Sequence, residues 1–349
     1  RSDATYRHNF NGIGASFSAN VHYEENLDNN TSSLTYPRAS LSFRQRNLIP
    51  QEDFQEDLQW YHKVYYSANF NFTNKRDESL TTGDRIITRR GGLMSNSYRI
   101  NSSQTILEYF SVTPSISISQ EVTDEKRDYY YDENADSVKF NKQEGIFLRH
   151  RPSFGTGLNT KLYGLFPGFG KIIAFRHVMT PSVSFSYTPD LSEEYWGYYE
   201  YIRDGTGDIQ KLDVFAGQYL MGGTPQKEIG AMNISLSNLF QMKRIKGEET
   251  EEKLDLLNVN FNTGYNFTAD SLNWSNVTTN LWTDPISGSR SIGMLKNLHL
   301  QMSTTHNLYQ TTLQGRQIDK FYWEEGNWKE GKLARLTNLS LSSNFAIAP

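Results

Sequence analysis

The 349-residue chain contains no cysteine, which rules out a disulfide framework and a thiolate metal site within it and says nothing of its compartment. No apolar run approaches the roughly 20 residues that a membrane helix requires, so a helical membrane protein is excluded. A membrane β-barrel is untouched by that test, because its strands spend only every second residue on lipid. A net charge of −4 is too mild to point to nucleic acid. The first residue is Arg1, with no initiator Met and no signal-peptide pattern, so we expect a processed front or an excerpt of a longer chain. Ala and Leu, good helix formers, are sparse wherever apolar and polar residues alternate.

What is present is aromatic and hydroxyl-rich. There are 21 Tyr and 20 Phe, yet the mean hydropathy is −0.64. The two facts meet in the stretch 171–190. Its odd positions from Ile173 read Ile, Phe, His, Met, Pro, Val, Phe, Tyr, and its even positions turn increasingly to Ser and Thr. Successive side chains of a strand point to opposite faces, so one face here is greasy and the other hydroxyl-rich.

The same alternation predicts about 12 strands, several of them about 12 residues long, as a tilted membrane strand needs. They fall near Gly12–Tyr23, Ser33–Arg44, Trp60–Phe72, Leu93–Thr105, Phe110–Ser119, Gly145–Leu162, Lys171–Asp190, Ile229–Leu239, Leu257–Phe267, Asn273–Thr283, Leu295–His306 and Leu336–Ala346. Polar loops are expected at Glu24–Thr31, Asn74–Arg90, Thr123–Glu144, Leu191–Lys227 and Asn307–Arg335. Turns are expected at Asn47–Asp57, Ile106–Tyr109, Tyr163–Gly170 and Lys243–Lys253. Long and short connections broadly alternate, as in outer-membrane barrels, and no helix-length apolar pattern intervenes. The segments Val112–Ser119 (VTPSISIS) and Met179–Ser186 (MTPSVSFS) nearly repeat, which suggests hairpin duplication.

The expected fold class is therefore all-β, an antiparallel transmembrane β-barrel wall occupying residues 1–349 as part of a larger barrel. A soluble β-sandwich or β-solenoid is the alternative, with its apolar faces covering one another. On the barrel reading, Phe70, Phe72, Ile116, Ile118, Phe175, Val183, Phe185, Val259 and Phe261 face lipid. Tyr23, Trp60, Phe72, Phe110, Tyr187 and Phe267 lie near strand ends, where interfacial aromatic girdles belong. The inward face carries few charges (Lys63, Arg99, Arg176, Glu121), and no ring of like charge marks an ion-selective pore. Its Ser, Thr and Asn suit sugar hydroxyls. Ser115, Ser117, Asn69, Asn71, Asn260 and Asn262 are the expected sugar-facing positions.

No catalytic constellation emerges, and no enzyme activity, cofactor or metal is expected. His177 lies on the apolar phase of its strand with no Asp or Ser paired to it, so a packed histidine is expected. Asp204–Asp208 (DGTGD) lacks the 12-residue spacing of a calcium loop. Gly91-Gly92 and the glycines of 164–170 precede no helix and are turn glycines. The acidity of the expected outer loops suggests that they attract divalent cations, which would bridge them to anionic groups.

The segment Thr160–Asp190, TKLYGLFPGFGKIIAFRHVMTPSVSFSYTPD, carries a resemblance. Thr160-Lys161, Tyr163-Gly164, Arg176-His177, Thr180-Pro181-Ser182, Tyr187 and Pro189-Asp190, with the later Tyr265-Asn266 and Ala269-Asp270, resemble a divergent branch of the LptD family of outer-membrane lipopolysaccharide-assembly proteins. Tyr36–Pro50 is similar more loosely. The resemblance spans most of the chain, and its specific part is the Thr160–Asp190 block. It implies a very large barrel with about twice the strands counted above, a periplasmic jellyroll outside this sequence, a lipoprotein plug of the LptE kind and periplasmic bridge proteins. It also implies residence in the bacterial outer membrane and transport of lipopolysaccharide into the outer leaflet, sugars passing through the lumen. The family's lateral gate and disulfide cysteines match no residue here. A porin or plugged nutrient receptor is the alternative function.

Overall fold

The computed structural model describes residues 1–49, 59–81, 85–246, 250–286, 295–325, 329 and 331–347. In chain order its strands are β1 (Ser2–Phe10), β2 (Ala15–Asn26), β3 (Thr31–Asn47), β4 (Val64–Thr81), β5 (Arg85–Ser102), β6 (Gln104–Ile106), β7 (Phe110–Val112), β8 (Ser115–Asp132), β9 (Ser137–Asn159) and β10 (Leu162–Pro167). They continue with β11 (Ile172–Thr188), β12 (Tyr199–Arg203), β13 (Ile209–Asp213), β14 (Ile229–Lys246), β15 (Thr250–Asn266), β16 (Val277–Ile286), β17 (Leu295–Asn307), β18 (Tyr309–Thr311), β19 (Gln317–Phe321) and β20 (Arg335–Ile347). Only single 3₁₀ turns interrupt them among the described residues, so the all-β class holds.

The chain forms two compact units. One comprises Arg1–Ser103, Pro114–Phe154 and Tyr187–Glu228; the other comprises Gln104–Thr113, Gly155–Ser186 and Ile229–Pro349. In the first, β1, β2, β3, β4, β5, β8 and β9 are hydrogen-bonded neighbours in that order. The pairs from β1 to β8 are antiparallel. The β4–β5 pair runs without a register shift from Val64↔Ser102 to Thr81↔Arg85. In the second unit, β14, β15, β16, β17 and β20 form a consecutive antiparallel meander, and β10 pairs with β11.

Alternation decides which residues share a face. Phe70 pairs with Leu41, Phe72 with Ala39 and Met94, and Ile116 with Ile100. On the opposite face Asn69 pairs with Ser42 and Ser97, and Asn71 with Ser40 and Ser95. The apolar face is not packed under a second layer. Among the described residues, Ala15 and Leu254 are the wall's only buried hydrophobic side chains. The remaining buried ones lie in the connections 189–228 and 308–334. A soluble sandwich buries these strand positions, so that alternative fails here.

Several boundaries differ from expectation. β1 is an additional strand ahead of Gly12. Most of the loops expected at Glu24–Thr31, Asn74–Arg90 and Thr123–Glu144 are paired strand arms, residues 82–84 of the second lying outside the described residues. Both faces of these arms meet water, which erases the apolar alternation, and cross-strand charge pairs such as Lys142–Glu125 (3.0 Å) stabilise them instead. The expected alternation of long and short connections changes accordingly: long arms replace three of the long loops. Lys243–Lys253 is largely strand, with ion pairs Arg244–Glu252 (2.8 Å) and Lys243–Glu251, while its residues 247–249 lie outside the described residues. Residues 50–57 of the Asn47–Asp57 turn also lie outside them. Trp60–Lys63 is a 3₁₀ turn rather than the start of a strand, and Tyr163–Gly170 contains most of β10. Trp274 makes an isolated bridge to Tyr265, and the regular strand begins at Val277. At Ile106–Tyr109 the turn is as expected, with Leu107 and Glu108 at φ of 51° and 65°.

Candidate functional site

Two features of the first unit build the site: its hydroxyl and amide face, and the 189–228 connection folded onto that face. The face is a set of cross-strand rows. Ser18 on β2 bonds Ser40 on β3 at 2.8 Å. Ser40 pairs with Asn71, Asn71 with Ser95, and Ser95 with Glu121 on β8. A neighbouring row runs from Ser42 through Asn69 and Ser97 to Ser119.

The 189–228 connection is not the polar loop that its composition suggests. The β12–β13 hairpin and its flanks fold around Leu191, Tyr198, Tyr199, Val214, Phe215 and Met221, with Leu93 and Phe147 of the wall packed against them. Apolar burial is what holds such an insert in one place, at about 25 cal/mol per Å² removed from water.

Beneath it lies a buried ion pair. Arg149 on β9 has no solvent exposure. Its Nε and Nη2 donate to Glu121 Oε2 at 2.9 and 2.6 Å, and its Nη1 donates to Thr224 Oγ1 at 2.7 Å. The Phe215 ring lies 5.6 Å from the guanidinium carbon. Arg151 Nη2 donates to the other Glu121 oxygen at 3.1 Å. On the insert, Asp213 receives the Thr224 amide (2.7 Å) and hydroxyl (2.9 Å), which fixes the hydroxyl that Arg149 meets.

The insert also satisfies a strand edge. β5 and β8 pair from Met94↔Val122 to Asn101↔Ser115, and beyond Val122 the insert takes over. The Arg127 amide donates to the Val214 carbonyl at 2.7 Å, and the Tyr129 amide to Glu200 Oε2 at 2.7 Å. Thr123 Oγ1 donates to Gln218 Oε1 at 2.5 Å, and Tyr219 bonds Asp77 on β4. Unpaired edge groups are costly when covered, so these bonds let the insert dock where the strands part. The parting leaves a polar cavity of 1210 Å³, lined by Arg89, Arg90, Lys142, Glu125, Glu144 and the insert tip 217–221.

Within the insert the Asp204 carboxyl is held below its usual value, first by the Thr206 hydroxyl and then by Gln210 and two backbone amides. Burial pushes the Tyr199 hydroxyl up. Among the described residues no group of three or more His, Asp or Glu is placed to hold a metal ion.

The sequence-derived positions distribute as follows. Phe72, Ile116, Ile118, Phe185 and Phe261 are exposed large hydrophobics, while Phe70, Phe175, Val183 and Val259 are half-buried by neighbours on their own face. Phe70 has edge contacts with Phe43 and Tyr98 at 6.1 and 5.7 Å. Trp60, Phe110 and Phe267 are likewise exposed. Asn69 and Asn71 lie in the two rows described above. Ser117 is opposite Arg99, whose Nη2 donates to Ser115 Oγ at 3.4 Å. In the second unit Asn260 pairs with Ser237 and Asn280, and Asn262 with Ser235 and Thr278. Asn262 lines a 300 Å³ groove with Ser182, Ser184 and Asn233.

His177 bonds Asn238 at 3.0 Å and stacks on Phe240 with centroids 4.4 Å apart, a packed histidine on the apolar face. A second polar row on such a face was not expected: Asn96 donates to Gln120 at 2.8 Å, and Gln120 meets His150 at 2.8 Å. Cross-strand bonding is how polar groups persist on a lipid-facing wall. Arg149, Thr224, Asp213 and Gln218 were also missed. The one available signal was Glu121, the single acid among the four charges read on the inward face.

A family model described as LptD protein matches residues 1–312. No significant match was found among curated proteins or among solved structures.

Proposed function

Because the chain belongs to the LptD family, whose members act in lipopolysaccharide transport and assembly at the outer membrane, we propose that it is wall of the translocon that delivers the glycolipid to the outer leaflet. The family is a transport and assembly family, and its β-barrel class agrees with the all-β antiparallel strands. In the proposed route the lipid part enters the bilayer while the sugars pass along the hydroxyl and amide face. Asn69, Asn71, Ser115, Ser117, Asn260 and Asn262 exchange hydrogen bonds with sugar hydroxyls there at little net cost. The long strands of the described chain contribute wall, and an LptE-like lipoprotein and periplasmic bridge proteins are the partners of this reading.

The observation that carries the proposal is the two-sided wall whose polar face is covered by an insert docked over Arg149–Glu121. A steadily open porin has no use for such a cover, whereas a conduit for large amphiphiles needs one that moves; a plugged nutrient receptor also carries a cover, and the depletion arm of the test below separates it. The test is a reversible lock. A Cβ built on Gly91 lies 3.6 Å from Tyr219 Cβ, within the range of a disulfide. The chain has no cysteine to compete. Cells relying on the Gly91→Cys/Tyr219→Cys protein should lose surface lipopolysaccharide under oxidising conditions and regain it on adding reductant. Normal surface display with the disulfide formed sinks the moving-cover reading, and normal display after full depletion of the protein sinks the translocon reading.

A further inference from the structure

The apolar face of the first unit carries a charge arrangement that the transport route does not use. On β4 the face reads Phe70, Phe72, Asn74, Arg76, and on β5 it reads Arg90, Gly92, Met94. The unbroken register sets Arg76 directly opposite Arg90 and Asn74 opposite Gly92. Like charges facing each other across a strand pair disfavour the pair. Glu78 bonds Arg76 along its own strand and so offsets one of the two. Among the described residues no hydrogen bond or ion pair engages the Arg90 side chain, which is exposed. From β3, Leu34 stands opposite Arg76, and Tyr36 projects with 62% of its surface exposed. Together Leu34, Tyr36, Asn74, Arg76, Thr88 and Arg90 line a groove of 490 Å³. Beside the groove, a Cβ built on Gly92, opposite Asn74, would meet nothing within 4 Å.

The groove begins at Asn74, two residues from Phe72, and its Arg76 lies about 13 Å along the strand from Phe72, four residues at about 3.3 Å each. It thus starts where exposed aromatic and aliphatic side chains give way to charge and hydroxyl groups, the level at which lipid headgroups lie beside a barrel. Guanidinium forks match the oxygens of a phosphate in pairs. A tyrosine beside them suits the interface, with its ring toward acyl chains and its hydroxyl toward water.

We infer that Arg76 and Arg90, opposed across β4 and β5 and flanked by Tyr36, bind the phosphate monoester of an outer-leaflet lipid headgroup on the outside of the wall. The site rests on the reading of this face as lipid-facing. By strand alternation its arginine side chains belong to the face opposite the sugar-lined one, with Arg90 also bordering the cavity under the insert, and it anchors lipid against the wall rather than conducting it. The phosphate supplies the counter-charge that Glu78 alone does not, so an occupied site removes the like-charge repulsion of the hairpin.

The test uses the full chain reconstituted in phosphatidylcholine nanodiscs, with phosphatidic acid as the monoester probe and bound lipid counted by native mass spectrometry. The wild type should retain phosphatidic acid over phosphatidylcholine. Arg76→Gln/Arg90→Gln should reduce that retention about tenfold or more, the loss of one or two charge-assisted contacts. Arg76→Lys/Arg90→Lys keeps the charge, alters only exposed side chains and should fall between the two. Inorganic phosphate at the same concentration should leave the retained lipid in place; displacement by it overturns the lipid as the source of the phosphate. Equal retention by the wild type and the glutamine variant overturns the site. A wild-type chain that stays in solution without detergent overturns the lipid-facing reading itself, and the site with it.

Discussion

Glu121→Gln is the sharpest perturbation of the docked insert. Arg149 and Glu121 both belong to the wall, on β9 and β8; the insert buries their pair without supplying either charge. With Gln at position 121 the carboxylate that takes Arg149 Nε at 2.9 Å and Nη2 at 2.6 Å is gone, and an amide donor can face the guanidinium. Arg149 then keeps Thr224 Oγ1 and the Phe215 ring, and it remains without solvent exposure as long as the insert stays docked. Breaking one partner of a buried pair costs about 3–5 kcal/mol. Here the cost falls on the docked state alone, since undocking returns Arg149 to water. The opening equilibrium should shift by about two to three and a half orders of magnitude. Amide hydrogen exchange reads it directly, because the Arg127 and Tyr129 amides are held by Val214 and Glu200 of the insert. Their protection should collapse while the amides of Phe72 and Met94 stay protected. Arg149→Met should cost less, since Glu121 retains Arg151 at 3.1 Å. Unchanged protection at Arg127 in a correctly folded Glu121→Gln protein refutes the reasoning.

Other expectations follow from the same geometry. Phe70→Arg puts a charge in the middle of the apolar face and should cost about 2–4 kcal/mol when the protein is unfolded from liposomes; a neutral result argues that the face does not meet hydrocarbon. The Asp204 carboxyl is held low by its turn, so its contribution is present above the ordinary value of 3.8 and disappears as pH falls through the lower folded value. The amide chemical shift of Thr206, whose N–H donates to Asp204 Oδ1, should therefore report this protonation below that ordinary value. Tyr199 is shifted the other way, so its contribution is complete below 10.0 and lost as pH rises through its raised folded value. Ultraviolet titration of the wild type against Tyr199→Phe should show the missing phenol to be a late-titrating one, and an ordinary midpoint contradicts the burial.

Alternation by itself determined which side chains share a face, because a strand's period of two follows from backbone geometry and needs no partner. The absence of a helix-length apolar run and the greasy-and-hydroxyl pattern of 173–187 are enough to place an antiparallel wall there, and the antiparallel pairing of β10 with β11 agrees with it. The same local chemistry concealed the arms beyond that wall. At Lys75–Asp77 and Arg244–Glu252 both faces are polar, so strand and loop look alike until cross-strand partners are known. Only the tertiary structure decided the rest. Residues 189–228 read as a polar insert because their few apolar residues are scattered, yet folding gathers Leu191, Tyr198, Val214 and Phe215 into one core. Glu121 and Arg149 are 28 residues apart in the chain, and Thr224 is 75 residues beyond Arg149; their bond depends on how β8, β9 and the insert close on one another. Spacing along a chain carries no term for such long-range burial, which is why the wall was legible and its cover was not.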